Sequence, residues 1–287
     1  MPAVSIIGLG SMGSTLARLT LQHCAAATIW NRTASKAEAL AGQGASIARD
    51  VAAAVAGGDI IVVCVQDIAG GQTLLEDSAV TDHLSGRVIV HLSTGNAQDA
   101  RDAQSWAKRH GALLLAGAIQ AAPAQMGRPD TTVLVSGDEE AWRRSESVLR
   151  ILGGNIVYLG SDAGAAPTMD LATLSYVYGT FIGFIHGARV AEAAGIDLQE
   201  YGRIIGQISP AFGDFLRHEA NVIHSGDFSI TESPMGISIE ATERLAVTAR
   251  AAGINDEFPA FATSLFRRAG DAGLAREEAA ALIKILR

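Results

Sequence analysis

The first 160 residues alternate short apolar runs with segments of helical periodicity. The apolar runs are rich in Val and Ile and lack polar alternation, which predicts strands buried on both faces. Helical segments at residues 12–23, 33–43 and 96–111 separate the earlier runs, and this βαβα order favours a doubly wound parallel sheet. The predicted strands are residues 3–8, 27–31, 59–65, 87–93, 112–119, 131–137 and 155–160.

The strand pattern stops near Asp162, and the rest of the chain has helical periodicity. Residues 169–195 predict one long helix that ends at Gly195. We therefore expect an α/β domain over residues 1–161, an interdomain helix over 162–194 and an all-helical domain over 195–287. Shorter helices are predicted at residues 197–208, 211–224, 235–252, 257–270 and 276–285.

The segment from Leu171 to Val190 is long and apolar enough to suggest a membrane span. Gly179, Gly183, His186 and Arg189 interrupt it. These interruptions favour a buried helix between two domains, so no contact with a membrane is expected.

Charge and cysteine content narrow the classes of partner. The net charge of −8 disfavours a protein that neutralises nucleic-acid phosphates. Cys24 and Cys64 lie in apolar runs without the spacing of a metal site, which predicts core thiols in a reducing compartment and no bound metal. The amino terminus has no signal-peptide pattern, and a cytoplasmic location is expected.

A glycine-rich motif follows the first predicted strand directly. Gly8, Gly10 and Gly13 form a GxGxxG array at the head of a predicted helix. This spacing allows a tight turn, close approach of a pyrophosphate and close packing of the helix on the strand. The motif predicts a Rossmann dinucleotide-binding domain, with Leu9, Ser11 and Met12 also at the cofactor.

The residues after the second predicted strand bear on the choice of dinucleotide. An NAD site usually has a carboxylate here, whereas this chain has Asn31, Arg32 and Thr33, followed by Lys36. A guanidinium, a hydroxyl and an ammonium favour a 2′-phosphate and hence NADP(H). An ordinary polar β–α loop is the alternative.

Later strands end in small and polar residues at the edge where parallel sheets bind ligands. These ends leave room for a ribose and a nicotinamide ring. The cofactor contacts predicted there are Cys64, Val65, Gln66, Ser93, Ala118 and Gln120.

The motifs GLGSMG, NRTASKA, VVCVQD and GAIQAAP, with the long helix, resemble the β-hydroxyacid dehydrogenase superfamily over nearly the whole chain. The similarity is greater to its imine reductase and reductive aminase branch, in which an NRT after strand two is typical of members that prefer NADPH. The resemblance implies that the catalytic lysine of the hydroxyacid dehydrogenases, a few residues after the glycine matched by Gly164, is replaced by Asp170. Since no lysine lies between Lys108 and Lys284, a shift of alignment cannot supply one.

Imine reductases carry Asp or Tyr at the position of Asp170, and those with Asp often have a tyrosine eight residues later, here Tyr178. Eight helical residues advance about 12 Å and turn about 80°, so both side chains can line one cleft. A first-turn carboxylate favoured by the helix dipole is the alternative for Asp170. Plain packing with a satisfied hydroxyl is the alternative for Tyr178.

The resemblance implies transfer of hydride from NADPH to the carbon of a C=N bond, with an imine, or a carbonyl compound plus an amine, as substrate. Asp170 would act as acid or as anchor for the iminium ion, Tyr178 would orient the nitrogen, and Thr94 would hold the amine. Phe212 and Met235 are predicted walls of the substrate site, although both residue types are also common in cores. The family also implies a domain-swapped homodimer.

Two other functions are compatible with the same motifs. One is an NADP-dependent β-hydroxyacid or semialdehyde reductase that uses a different acid in place of lysine. The other is a non-catalytic NADP(H)-binding protein that has kept the fold.

Overall fold

The computed structural model describes residues 2–24 and 27–287, and the chain divides into two compact units. One unit ends at Ser175, and the other spans Tyr176–Arg287. The first unit contains an eight-stranded sheet with helices, and the second is helical. The predicted α/β class with a helical carboxy-terminal part is confirmed.

The sheet has the strand order β3-β2-β1-β4-β5-β6-β7-β8. Every residue of β1, β4 and β5 is buried, which explains their continuous Val and Ile runs. Each predicted strand is present, and one strand was missed because β3 has only three residues. The bounds are β1 Val4–Ile7, β2 Ala27–Trp30, β3 Ala45–Ile47, β4 Ile60–Val63, β5 Val88–His91, β6 Leu113–Ile119, β7 Thr132–Gly137 and β8 Asn155–Tyr158.

One strand pair departs from the predicted parallel sheet. Strands β6 and β7 are antiparallel, with Leu115 opposite Gly137 and Ile119 opposite Val133. Their connection contains only the short 3₁₀ turn Pro123–Gln125. A parallel pair needs a longer crossover, usually a helix, so the chain returns beside β6 in the opposite direction.

Helices cover both faces of the sheet and enclose two clusters of buried side chains. One cluster includes Ile6, Leu16 and Val133, and the other includes Ile7, Ile61 and Leu114. The helices are α1 Ser11–His23, α2 Ala34–Ala41, α3 Val51–Ala56, α4 Ile68–Leu75, α5 Ser78–Thr81, α6 Ala97–Arg109 and α7 Glu139–Leu152.

The long helix predicted after the sheet is α8, Ala165–Ala193. It has no acidic residue in its first turn, so the interpretation of Asp170 as a first-turn carboxylate is wrong. Across the described residues, 2–24 and 27–287, no helix combines the length and apolarity that a membrane span requires.

The helices of the second unit follow the predicted segments with two corrections. The segments 197–208 and 211–224 form one helix, although Pro210 lies inside it. Proline removes a single backbone donor, and the apolar residues on either side continue at helical spacing. The helices are α9 Leu198–Ser225, α10 Met235–Ala251, α11 Glu257–Asp271 and α12 Ile283–Leu286.

The second correction concerns the helix predicted at residues 276–285. This segment consists of the 3₁₀ turns Leu274–Arg276 and Ala279–Leu282 and of α12. The backbone N–H of Glu278 donates to Phe228 and that of Ala279 to Ser233, so long-range hydrogen bonds replace helical ones.

The side chain of Glu278 ties the segment of residues 274–286 to residues 231–233. The residue is fully buried, and its carboxylate accepts hydrogen bonds from the backbone N–H groups of Thr231, Glu232 and Ser233 and from the Thr231 hydroxyl. Burial opposes ionisation, but these bonds outweigh it and lower the pKa of Glu278 to about 2. Burial, reinforced by the charge of Glu278, raises the pKa of the neighbouring Glu219.

We expect Glu278→Gln to lower the free energy of unfolding at about pH 7 by about 2 kcal/mol, because charge-assisted hydrogen bonds become neutral ones. A depressed folded pKa contributes stability above the ordinary value of 4.5, and this contribution is lost as the pH falls towards about 2. Urea unfolding at about pH 7 and pH 3.5 should therefore show a smaller difference from wild type at the lower pH. Exposed Glu240 provides the control Glu240→Gln; an equal difference at both pH values would contradict the account.

Candidate active site

The glycine-rich turn between β1 and α1 is shaped by close backbone contacts. Gly8 has φ +97°, and a Cβ there would collide with the carbonyl oxygen of Cys64. A Cβ on Gly13 would collide with the carbonyl oxygen of Gly8, whereas one on Gly10 would meet nothing within 4 Å. Gly8 and Gly13 therefore exclude side chains, whereas Gly10 leaves open space at the amino terminus of α1.

A cavity of about 700 Å3 adjoins this turn. Its lining combines the turn with the ends of β2 and β4 and with the first turns of α4. Most of the predicted cofactor residues lie together here. The lining residues are Gly8, Leu9, Gly10, Ser11, Met12, Gly13, Trp30, Asn31, Arg32, Thr33, Lys36, Cys64, Val65, Gln66, Asp67, Gly70, Thr73 and Leu74.

Two cations and a hydroxyl gather at the β2 side of this cavity. Arg32, Thr33 and Lys36 all line it. Asn31 connects this loop to the glycine-rich turn, since its Oδ1 accepts from the Leu9 N–H at 2.8 Å and its Nδ2 donates to the Thr33 carbonyl oxygen at 3.0 Å. The Asn31 side chain therefore fixes the relative position of the two loops.

A second cavity of about 230 Å3 shares Met12, Cys64 and Val65 with the first. It brings together Thr94 and Asp170. Its full lining is Met12, Cys64, Val65, Leu92, Ser93, Thr94, Gly95, Gly117, Ala118, Ile119, Pro167 and Asp170.

Hydrogen bonds fix the strand ends around this second cavity. The Ser93 hydroxyl accepts from the Val65 N–H at 2.9 Å. The carbonyl oxygen of Thr94 accepts from the Ile68 N–H at 2.9 Å, so β5 is tied to the start of α4. Thr94 itself lines the second cavity.

Among the described residues, Asp170 is the one carboxyl group that lines the second cavity. Desolvation raises the pKa of the Cys64 thiol to about 11, so this thiol is neutral near pH 7. His91, buried beneath the strand ends, has its pKa lowered to about 4 by desolvation, with Asp67 partly opposing the shift. Its imidazole is therefore neutral as well.

A compact set of hydrogen bonds holds Asp170. The side-chain Nε2 of Gln120 donates to Asp170 Oδ1 at 2.6 Å. The Thr173 hydroxyl lies 2.8 Å from Gln120 Oε1 and 2.8 Å from the Asp170 carbonyl oxygen. Gln120, a predicted cofactor contact, is thus placed against Asp170 and does not line either described cavity.

The start of α8 is positioned by an ion pair. Arg101 donates two hydrogen bonds to Asp162, at 2.9 and 2.8 Å, and these bonds lower the pKa of that carboxyl. A Cβ on Gly164 would lie 2.8 Å from the guanidinium. Glycine at this position therefore lets Arg101 pass over the chain just before α8.

Three predicted residues lie in the helical unit. Tyr178 is 61 % exposed, so it does not belong to the core of this chain. Phe212 lies on α9 at a groove of about 520 Å3. Met235 is fully buried against Ala269 and Ala281, so a role as substrate wall is wrong and the residue belongs to the core.

Sequence reasoning missed several residues of the two cavities and of the hydrogen bonds around Asp170. Trp30 lies at the end of β2 and Asp67 just after β4, so both could have been found by position alone. Pro167 and Thr173 flank Asp170 on α8, and only the path of the helix shows where they lie. The contact between Gln120 and Asp170 joins residues 50 positions apart and has no sequence signal.

Comparison with known proteins agrees with this geometry. Residues 3–160 match the family model for the NAD binding domain of 6-phosphogluconate dehydrogenase. Residues 162–287 match the model for the NADPH-dependent reductive aminase-like, C-terminal domain. The chain is 31 % identical to an NADPH-dependent reductive aminase of Aspergillus oryzae over 98 % of this chain and 96 % of that protein.

Solved structures give the same result. An imine reductase from Myxococcus stipitatus in complex with NADP+ has a TM-score of 0.91 and 31 % identity, with all of both chains covered. A reductive aminase from Aspergillus terreus in complex with NADPH and ethyl levulinate has a TM-score of 0.90, also at 31 % identity and with all of both chains covered. The chain therefore belongs to the family of NADPH-dependent reductive aminases and imine reductases, which are oxidoreductases.

Proposed function

We propose that this protein reduces imines, preformed or assembled from a carbonyl compound and an amine, with hydride from NADPH. The observation that carries the proposal is the placement of Asp170 in the smaller cavity, which shares three residues with the cavity of the glycine-rich turn. A carboxylate suits a cationic nitrogen substrate, whereas the lysine of hydroxyacid dehydrogenases suits an oxyanion.

The residues of the larger cavity fit NADPH. The open space at Gly10 and the start of α1, where no side chain of the described residues caps the backbone N–H groups, suit a pyrophosphate. Arg32, Thr33 and Lys36 suit a 2′-phosphate, which an acidic residue at the end of β2 would repel. When bound, NADPH supplies the hydride.

Asp170 is proposed to stabilise the protonated iminium or to give its proton to the imine nitrogen. Its Oδ1 is taken by Gln120, and no hydrogen bond from the described residues reaches Oδ2. Leu92, Ala118, Ile119 and Pro167 line the same cavity, and their apolar side chains would strengthen the attraction between carboxylate and cation. The hydroxyl of Thr94 is proposed to hold the amine.

Tyr178 and Phe212 are proposed to contact the substrate. Tyr178 lies eight residues after Asp170 on α8 and is proposed to orient the nitrogen. Phe212 is proposed as a wall of the substrate site because this residue is 48 % exposed and lines an apolar groove.

A domain-swapped homodimer is proposed from the surface of the helical unit. The exposed apolar residues Val177, Phe181, Ile182 and Ile185 lie on α8, and Ile208 lies on α9. Apolar patches of this kind mark interfaces. The domain functions assigned to residues 1–161, 162–194 and 195–287, and a cytoplasmic location, stay predictions.

Asp170→Asn should lower kcat for a cyclic imine by a factor of about 10² or more, because the group that protonates or stabilises the nitrogen is lost. The affinity for NADPH should change little. Rates of NADPH oxidation check this, with exposed Asp130→Asn as the matched control. An unchanged rate would remove Asp170 from the chemistry, and turnover of wild type with β-keto acids or semialdehydes alone would refute imine reduction.

Arg32→Ala should weaken binding of NADPH about tenfold or more while NADH binding changes little, since only NADPH carries the 2′-phosphate. Fluorescence titration with both nucleotides measures the two dissociation constants. Exposed Arg109→Ala controls for the loss of a positive charge. Equal weakening for both nucleotides would contradict the proposed phosphate site.

Wild type should sediment with twice the 29.7 kDa chain mass, and Phe181→Asp should shift it towards the monomer by burying a charge at the interface. Analytical ultracentrifugation measures this. Ile47→Asp, which changes an exposed apolar residue of the other unit, is the control. A monomeric wild type would overturn the dimer.

A further inference from the structure

Gln120 and Thr173 form a closed hydrogen-bonded group with Asp170. Gln120 directly follows β6, and Thr173 lies one turn after Asp170 on α8. All three residues are half-buried. Both polar atoms of the Gln120 amide have a hydrogen-bond partner in this group. Nε2 donates to Asp170 Oδ1, and Oε1 accepts from the Thr173 hydroxyl.

The orientation of the Gln120 amide decides which oxygen of Asp170 can carry a proton. An amide N–H pointing at Oδ1 disfavours a proton there, because a hydrogen on the side facing Gln120 would place two donors against one another. A proton on Asp170 is then favoured on Oδ2, the oxygen without a hydrogen bond from the described residues. After the proton leaves, the same N–H bond stabilises the carboxylate.

A half-turn of the amide would give the opposite result. Amide nitrogen and oxygen have nearly the same shape, so a half-turn would place Oε1 against Asp170 Oδ1. That oxygen would accept a proton held on Oδ1 and so withhold it from the substrate. The Thr173 hydroxyl would then accept from Nε2 and donate to the Asp170 carbonyl oxygen, which also lies 2.8 Å away.

Thr173 supports the orientation that the structure has. A hydroxyl has one hydrogen, and its donation to Gln120 Oε1 favours the orientation that the structure has. Without the hydroxyl, the amide would lose the partner of its oxygen and would be free to turn.

We propose that Gln120 and Thr173 are positioning residues that direct the proton of Asp170 to Oδ2. In the reaction, the Oδ2–H bond breaks and an N–H bond forms at the imine nitrogen, while a hydride supplied by NADPH, which would leave as NADP+, adds to the carbon. Asp170 is left as a carboxylate with Oδ1 hydrogen-bonded to Gln120. This inference rests on the proposed imine reduction and adds to it the route of the proton.

The test compares a neutral cyclic imine with its N-methyl iminium salt, which needs no proton. Gln120→Met, similar in shape but without a donor, should lower kcat for the neutral imine about tenfold or more. Its kcat for the iminium salt should stay within about twofold of wild type, and KM for NADPH should not change. Thr173→Val should show the same selective loss at smaller size, and Thr173→Ser should restore the rate.

Thr168→Val is the matched control, since among the described residues its hydroxyl bonds only to the carbonyl oxygen of Gly164, just before α8. Equal losses with both substrates would show a merely structural role, and unchanged rates would show none; either result overturns the proposal. A wild-type enzyme that reduces the salt but not the neutral imine would also refute it. A wild type that reduces neither substrate would instead remove the proposed function itself.

Discussion

The close contact of the Gly8 backbone with the Cys64 carbonyl oxygen is the constraint on which the cofactor side of this site depends. Because no side chain fits at Gly8 or Gly13, α1 begins directly at the edge where β1 and β4 end. The amino terminus of the helix and the open space at Gly10 then face one cavity. Asn31 extends the constraint to the β2 loop, so Arg32 and Lys36 are positioned by the same backbone turn.

The chemistry depends on one carboxylate held beside that cavity. Asp170 lies past the first turn of α8, where no helix-capping role accounts for it, and Gln120 ties it to the end of β6. The thiol and the imidazole nearby are kept neutral by burial. A cationic nitrogen would therefore meet one negative group without competition from a neighbouring cation. The family that the comparisons show reduces C=N bonds, for which such a group is suited.

Sequence patterns predicted the features that depend on neighbouring residues in the chain. Runs of Val and Ile predicted the buried strands, and the glycine spacing predicted the turn. The direction of β7 was not predictable from its own residues, since it follows from the short connection after Ile119. Met235 lies in a helix whose buried face only tertiary packing reveals. The partners of Gln120 were missed because a contact between a strand end and a distant helix leaves no local pattern.

The measurement that tests the central claim most directly is a crystal structure with NADP+ and a cyclic amine product. The account predicts the amine nitrogen within about 3 Å of Asp170 Oδ2, with Oδ1 still hydrogen-bonded to Gln120. It also predicts the 2′-phosphate between Arg32 and Lys36. An amine nitrogen that contacts other groups and leaves Asp170 without a ligand contact would contradict the account.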